Sequence, residues 1–302
     1  MHHFCSNGKL LITGEYLILD GALSLAVPTK FGQSLTVKAS SKKELIWKSL
    51  DENGEAWFET QISLQNINQC STNDATAKTL VKILAEAQKL NPTFLKPDTG
   101  FLAETKLGFP RNWGLGSSST LINNIAQWAN VDAFKLLWNS FSGSGYDIAC
   151  AQHNKPILYQ LKNKKPQVQE VNFSPPFKES IFFIHLNQKQ DSREGISAYK
   201  NSTGNKQKAI SKVSELTQNM LACTQKGTFT SLIEQHEMLI SEIIGLKPVK
   251  QSLFPDFSGG IKSLGAWGGD FIMAVGDENI PAYFNKKGYH TVIPYIDMVL
   301  PF

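Results

Sequence analysis

Long apolar runs are missing from this sequence. Crossing a bilayer takes roughly 20 mostly apolar residues, and the longest candidates, "IFFI" (Ile181–Ile184) and "FIMAV" (Phe271–Val275), have the length of strands. Cysteine is scarce: the four present (Cys5, Cys70, Cys150, Cys223) stand far apart, with no C-x-x-C pair. That excludes a disulfide scaffold and a cysteine zinc site and fits a reducing compartment. The opening "MHHFCSNGKLLITGEY" lacks the apolar core of a secretory signal, so a cytoplasmic protein is expected. No G-x-x-x-x-G-K-[ST] loop occurs, which excludes a Walker nucleotide site. G-x-S-x-G fails at its last glycine, which excludes that nucleophile elbow. Nor is there a strong charge of one sign: 30 Lys and Arg face 26 Asp and Glu, for a net +4 spread along the chain. The densest cluster, "KNKKPQ" (Lys162–Gln167), reads as a solvated loop. The balance favours a small anionic substrate, with no nucleic-acid or membrane partner.

What is there is an ordinary globular composition, 41% apolar and 19% charged over 302 residues, enough for one large domain or two of common size. There is no internal repeat and no low-complexity tract. The first third is strand-rich: "KLLIT" (Lys9–Thr13), "LSLAV" (Leu23–Val27) and "QSLTVKA" (Gln33–Ala39) are short runs punctuated by Gly and Pro. "ELIWK" and "AWFETQI" flank Asn53-Gly54, a strong hairpin signal. A helix is expected from an Asn73 N-cap, with Ala77, Leu80, Val81, Leu84 and Ala87 at helical spacing and Pro92 beyond its end. A strand ("GFLAETKLG"), a glycine-serine loop and two helical segments ("LINNIAQWA", "DAFKLLWNSF") follow. "SGSGYDIACAQ" reads as a glycine turn and short helix, and Pro156–Leu161 as a strand. The charged stretch Lys162–Pro176 is the candidate domain boundary. After it come "SIFFIHL", helices over about 206–223 and 228–244, a second glycine-rich segment, and closing strands. Sheets with helices packed on them, an α+β class, are expected in each half.

Four stretches can carry chemistry. In "NGKLLITGEYLIL", Lys9 opens a strand and Glu15 follows its end; a surface lysine beside a turn is the plain alternative. In "FPRNWGLGSSST", glycines allow close backbone approach. The helix start supplies N–H groups and a positive dipole end, and adjacent hydroxyls suit phosphate or Mg²⁺. A polar turn capped by serine fits the same residues, and a serine nucleophile would need a His and an acid in support. In "GSGYDIACA", Asp147 opens an apolar helix, either as a favourable helix-end charge or as a carboxylate acting on a hydroxyl proton. "KSLGAWGGDF" (Lys262–Phe271) places three glycines within five residues before a buried strand. It reads as a tight turn or as another approach to phosphate or substrate.

Taken in order, "GKLLITGEY", "PRNWGLGSSS", "GSGYDIA" and "SLGAWGGDF" resemble the GHMP kinase superfamily over most of the chain, and its mevalonate and phosphomevalonate kinase branch most of all. The resemblance implies a two-domain α+β GHMP kinase fold. Residues 1–165 would form an ATP-binding domain like the second domain of ribosomal protein S5, and 166–302 a ferredoxin-like C-terminal domain. It implies phosphoryl transfer from ATP, with Mg²⁺, to the alcohol of a small molecule, mevalonate first and phosphomevalonate next, by a monomer or homodimer. Pro110, Gly114, Leu115, Gly116, Ser117, Ser118 and Ser119 would hold ATP, and Ser118 would ligate Mg²⁺. Asp147 would orient or deprotonate the acceptor hydroxyl, and Lys9 would pair with Asp147 and stabilise the transferred phosphoryl group. Glu15, Ser192, Gly265, Gly268 and Gly269 would line the acceptor side. A phosphorylated acceptor would draw on Lys30, Lys189, Arg193 or Lys262. Where the family carries a third-motif glycine this chain has Trp267, whose bulk is expected to narrow the acceptor side or cover the nucleotide. Where mevalonate kinases carry a glutamate Mg²⁺ ligand, "VDAFKLLWNSFS" offers only Asp132, leaving Asp147 and waters to hold the metal. A nucleotide-binding homologue without turnover, and diphosphomevalonate decarboxylase, are the alternatives on this fold.

Overall fold

A computed structural model describes the chain except residues 66, 68–72, 190–191, 202–204 and 278, and the side chains of 192–194 and 198. It divides into two compact units. Unit 1 comprises Met1–Gly8, Phe31–Arg111 and Leu115–Gln152; unit 2 comprises Lys9–Lys30, Asn112–Gly114 and His153–Phe302. Strands β1 (His2–Leu11) and β2 (Ser24–Ala39) run through both and pair with each other.

In unit 1, β4 (Ala56–Ser63), β3 (Glu44–Leu50), β5 (Phe101–Leu107) and the later part of β2 lie side by side. β3 and β5 are parallel and the other pairings antiparallel. Residues alternate faces along a strand, so β3 buries Leu45, Trp47 and Ser49 and leaves the intervening residues half-buried. The β3–β4 hairpin turns at Gly54, as Asn53-Gly54 predicts. Against the buried face lie α1 (Ala75–Leu90), α2 (Ser117–Ala129), α3 (Ala133–Ser140) and α4 (Tyr146–Gln152). One core runs through Val37, Trp47, Leu84, Ile122, Ile125 and Ile148. The first helix begins one residue later than the sequence suggests: Asp74, not Asn73, is the N-cap, accepting from the Ala77 N–H at 2.8 Å. Asp132 caps α3 in the same way, on Lys135 N–H at 2.9 Å.

In unit 2, the first residues of β2 pair with β6 (Ile157–Lys162), which forms a hairpin with β7 (Lys165–Glu170). The charged stretch Lys162–Pro176, the candidate domain boundary, carries a strand, with Asn163 and Lys164 both at positive φ in the turn before it. A second, antiparallel sheet has the order β11 (Val292–Pro294), β8 (Ile181–His185), β10 (Phe271–Val275), β9 (Gly260–Ser263). Helices α5 (Ser192–Asn201), α6 (Lys206–Ala222), α7 (Lys226–Ile244), α8 (Val249–Leu253), α9 (Ile280–Lys286) and α10 (Tyr295–Met298) complete the unit. α7 packs on β9 and on α6, and both long helices fall where their apolar spacing places them. All five β10 residues are buried, which is why "FIMAV" reads as a continuous apolar run. Among the described residues, no helix is long and apolar enough to cross a membrane.

Candidate active site

The glycine-serine loop ends in a helix start without a side-chain cap. Four other helices, α1, α3, α6 and α9, close their first turn with an Asp or Asn side chain. At α2 the N-cap is Gly116 in a left-handed conformation, with no side-chain hydrogen bond. The first intrahelical bond there runs from Thr120 N–H to Gly116 O at 3.0 Å, so the N–H groups of Ser117, Ser118 and Ser119 have no intrahelical acceptor. Ser118 is exposed and Ser117 half-buried. Ser119 turns inward instead, its hydroxyl donating to Gly116 O at 2.8 Å. Leu115 is buried and Pro110 half-buried, so both shape the loop.

A buried polar chain fixes this helix within unit 1. The Thr120 hydroxyl donates to Gln33 Oε1 at 2.7 Å, and Asn124 Nδ2 to Gln33 O at 3.0 Å. Ser6 joins Asn124 to Asn123, and Gln152 at the end of α4 donates to Asn123 Oδ1 at 3.1 Å. This last bond ties α4 to α2. Asp147, half-buried in the first turn of α4, accepts from Ile148 N–H at 3.1 Å.

The preceding loop residues belong with unit 2. The Lys9 ammonium donates to Gly114 O at 2.8 Å, so the lysine read as catalytic is bonded to the loop itself. The Asp270 carboxylate lies against Gly114, which has φ +67°; a Cβ there would collide with it. His185 Nδ1 accepts from Asn187 N–H at 3.2 Å, leaving Nε2 to donate to Asn112 O at 3.2 Å. Trp113 meets Phe271 edge-on, centroids 5.4 Å apart.

Residues "TGEY", Thr13–Tyr16, form a turn tied down residue by residue. Thr13 Oγ1 accepts from Leu25 N–H at 2.9 Å and from the Thr217 hydroxyl at 2.8 Å. Gly14, at φ +93° with Ser24 where a Cβ would sit, donates its N–H to His236 Nε2 at 3.1 Å. Glu15 accepts from the Lys262 ammonium. The Tyr16 hydroxyl accepts from Trp267 N–H at 3.2 Å. Glu15 is thus buried among charges, where sequence reading puts it on the acceptor side.

Glu15 is buried together with three other ionisable side chains, His236, Glu237 and Lys262. Lys262 Nζ also meets Glu237 Oε1 at 3.1 Å and donates to Ser263 O at 2.6 Å. Ser263 donates to Glu237 Oε2 at 2.8 Å. His236 Nε2 faces Glu15 Oε2 at 3.4 Å. Burial raises Glu15, opposed in part by Lys262, to about 7. Burial raises Glu237 too. Burial, and then Lys262, hold His236 well below the usual histidine range. For Lys262, burial acts downward, but the two carboxylates outweigh it and the net direction is up. Lys262 is therefore a charge partner inside unit 2, not a surface cation awaiting an anionic acceptor.

The third motif corrects the expectation for Trp267. Its side chain is 2% exposed, packed with Tyr16, Tyr199, Val213 and Ile240. It is a core residue rather than a cover for a ligand. Gly265 and Gly268 of the same loop have open space where a Cβ would point, and Gly269 is buried. The side chains of Ser192 and Arg193 lie outside the described residues.

No known family's sequence profile matches the chain, and no curated protein sequence does. Solved structures do. The chain is similar to the Methanococcus jannaschii mevalonate kinase at 16% identity, over 95% of this chain and 94% of that one, with a TM-score of 0.71. It is similar to the Streptococcus pneumoniae phosphomevalonate kinase in complex with phosphomevalonate and AMPPNP at 16% identity, over 100% and 99%, with a TM-score of 0.70. This is the GHMP kinase fold. The likeness extends to the Lactococcus lactis galactokinase complexed with galactose, at 14% identity over 94% and 87% and a TM-score of 0.67. At such identities the fold is what is shared, and chemistry has to be argued from residues. Within the GHMP kinase fold of this chain, sequence reasoning missed His236, Glu237 and Asp270. Only Asp270 had a signal, its place in "GGDF".

Proposed function

We propose that the chain is an ATP-dependent phosphotransferase acting on the alcohol of a small molecule, with mevalonate the leading acceptor. The observation that carries this reading is the Gly116–Ser118 helix start, uncapped by any side chain and presenting hydroxyls, in a chain with the GHMP kinase fold. Helix N-termini favour anions through their N–H groups and dipole. Pro110, Gly114, Leu115, Gly116, Ser117 and Ser118 would wrap the ATP phosphates, with Ser119 closing the loop from inside. Gly265, Gly268 and Gly269 would bring backbone to the substrate side together with Ser192. Residues 1–165 would form the ATP-binding N-terminal domain and 166–302 the C-terminal domain.

Phosphoryl transfer asks a protein mainly to position reactants and neutralise charge. Asp147 would orient the acceptor hydroxyl and take its proton as the oxygen bonds to the γ-phosphorus and the bond to the β,γ-bridging oxygen breaks, releasing ADP. Lys9 would counter the charge of the transferred group while anchoring Gly114. The donor set suits Mg²⁺: the Ser118 hydroxyl and the Asp147 carboxylate are oxygens, and Mg²⁺ binds through one or two protein ligands plus phosphates and waters. When bound, Mg²⁺ would offset the negative charge of the phosphates. Mevalonate ranks before phosphomevalonate because two of the four cations offered for an acceptor's phosphate, Lys262 and Lys30, are paired with acids. Lys262 is buried in ion pairs, and Lys30 lies 3.8 Å from Asp297. A coupled ADP-release screen over mevalonate, phosphomevalonate, homoserine and simple sugars tests the reading. Acceptor-dependent ADP release with mevalonate supports it, and ATP binding without turnover on any of them defeats it.

One observation favours a second reading. Asp132, the only acid on the segment before Asp147, is occupied as a helix cap, so nothing there replaces the family glutamate. A nucleotide-binding protein without turnover would follow, and calorimetric ATP binding with no transfer would identify it.

A further inference from the structure

The buried cluster around Glu15 has an unfilled place in its hydrogen bonding. Glu15 Oε2, His236 Nδ1 and Glu237 Oε1 have no hydrogen-bond partner among the described residues. Because His236 Nε2 accepts from the Gly14 N–H, the neutral ring carries its proton on Nδ1. The Nε2 lone pair is therefore turned toward Gly14 and Glu15. An ionised Glu15 would set a carboxylate oxygen against that lone pair at 3.4 Å, with no proton between them. A proton on Oε2 removes the conflict and lets the oxygen share the Nε2 lone pair with the Gly14 N–H, since a neutral carboxyl donates where a carboxylate only accepts.

Charge counting points the same way. The groups facing Glu15 are Lys262 from β9, His236 and Glu237 from α7, and Tyr16 next in the turn. One ammonium against two carboxylates and a neutral imidazole leaves an excess negative charge in a buried site. One proton brings the cluster to neutrality, and buried charge without compensation is costly.

We propose that Glu15 holds a proton on Oε2 against His236 Nε2, and that Glu15, His236, Glu237 and Lys262 form a positioning cluster that fixes the Thr13–Tyr16 turn. Its kinetic consequence rests on the phosphotransferase reading; the proton itself does not. Gly14 and Glu15 lie in the turn that follows β1, the strand carrying Lys9, and Lys262 and Ser263 lead into the Leu264–Gly269 loop, so one cluster sets two candidate site segments. These residues touch no reactant. They act through the turn.

Glu15→Gln is the conservative mimic, because the amide offers Lys262 an oxygen and His236 an N–H donor in place of the protonated carboxyl. It also leaves Lys262 and Glu237 as a neutral pair. Infrared difference spectroscopy of the whole protein through a pH titration reads the proton directly. Wild type should show the carbonyl band of a neutral carboxyl disappearing near pH 7, and the Gln variant should lack it. Glu237→Gln should move that midpoint down by roughly one pH unit, since a like charge is removed. The absence of any such band in wild type, or its persistence in Glu15→Gln, overturns the shared proton whatever the protein catalyses. Kinetics then read the positioning. Glu15→Ala should lower kcat roughly tenfold, as small misplacements do, with the KM for ATP unchanged, and Glu15→Gln should restore kcat. Equal kcat in wild type, Ala and Gln variants would overturn the positioning role. A raised KM for the acceptor in Glu15→Gln would instead make Glu15 a direct acceptor contact. If no variant and no wild type transfers phosphate, only the phosphotransferase reading fails, and the infrared result still decides the proton.

Discussion

Replacing Glu15 with Gln should change how stability depends on pH, by an amount the structure sets. The carboxyl titrates at 4.5 in an ordinary environment and at about 7 in the fold. The native state therefore holds a proton that the unfolded chain has released between those values. Stability falls with rising pH wherever the native state binds the extra proton, so the contribution is present below pH 4.5 and lost as pH rises to about 7. The interval is about 2.5 units, or about 3 kcal/mol at about 1.36 kcal/mol per unit. Glu237, also raised, adds in the same direction. His236 is lowered and acts oppositely. Subtracting one urea-unfolding series from the other, wild type against variant across that range, cancels groups that both proteins share. The Gln variant should gain about 3 kcal/mol relative to wild type between the ends of the range, most of it before pH 7. Parallel stability curves would refute the reasoning, because Glu15 would then bind its proton as an ordinary carboxylate does.

Other consequences can be checked singly. Asp147→Asn should abolish turnover and leave the affinity for a non-hydrolysable ATP analogue, measured by calorimetry without Mg²⁺, intact; an active Asn variant removes Asp147 from its role. Ser118→Ala should raise the Mg²⁺ concentration needed for half-maximal rate, and an unchanged Mg²⁺ dependence would move the metal elsewhere. Gly114→Ala should cost about 1–3 kcal/mol through positive φ and the clash with Asp270, read as a lowered Tm. Trp267→Ala should cost about 3–5 kcal/mol, as for other large buried side chains, whereas a residue covering a ligand would cost little in the free protein.

The hairpin at Gly54, the helices over 206–222 and 226–244 and the apolar β10 were legible because their signals are local. β2 was not: it reads as two runs parted by Pro28 and Gly32, yet it is one strand. Its ladder with β6 covers Ser24–Ala26 and its ladder with β5 starts at Gln33, so Pro28 falls between these two ladders, where proline's missing N–H breaks neither of them. The site divides in the same way. Glycines beside hydroxyls announce a loop, and "GSGYD" announces a carboxylate at a helix start. The Lys262–Glu15 bond spans 247 positions, and no spacing rule reaches across such a distance. A tryptophan among glycines invites a role at a ligand, and only packing against Tyr16 and Tyr199 shows it to be core.

Phosphorus NMR of the protein with MgATP and mevalonate reads the transfer itself. A new phosphate monoester resonance should grow as the γ-phosphate signal of ATP falls, dependent on mevalonate and absent with Asp147→Asn. ATP that stays intact, or that yields only inorganic phosphate whether or not mevalonate is present, would rule out transfer to mevalonate.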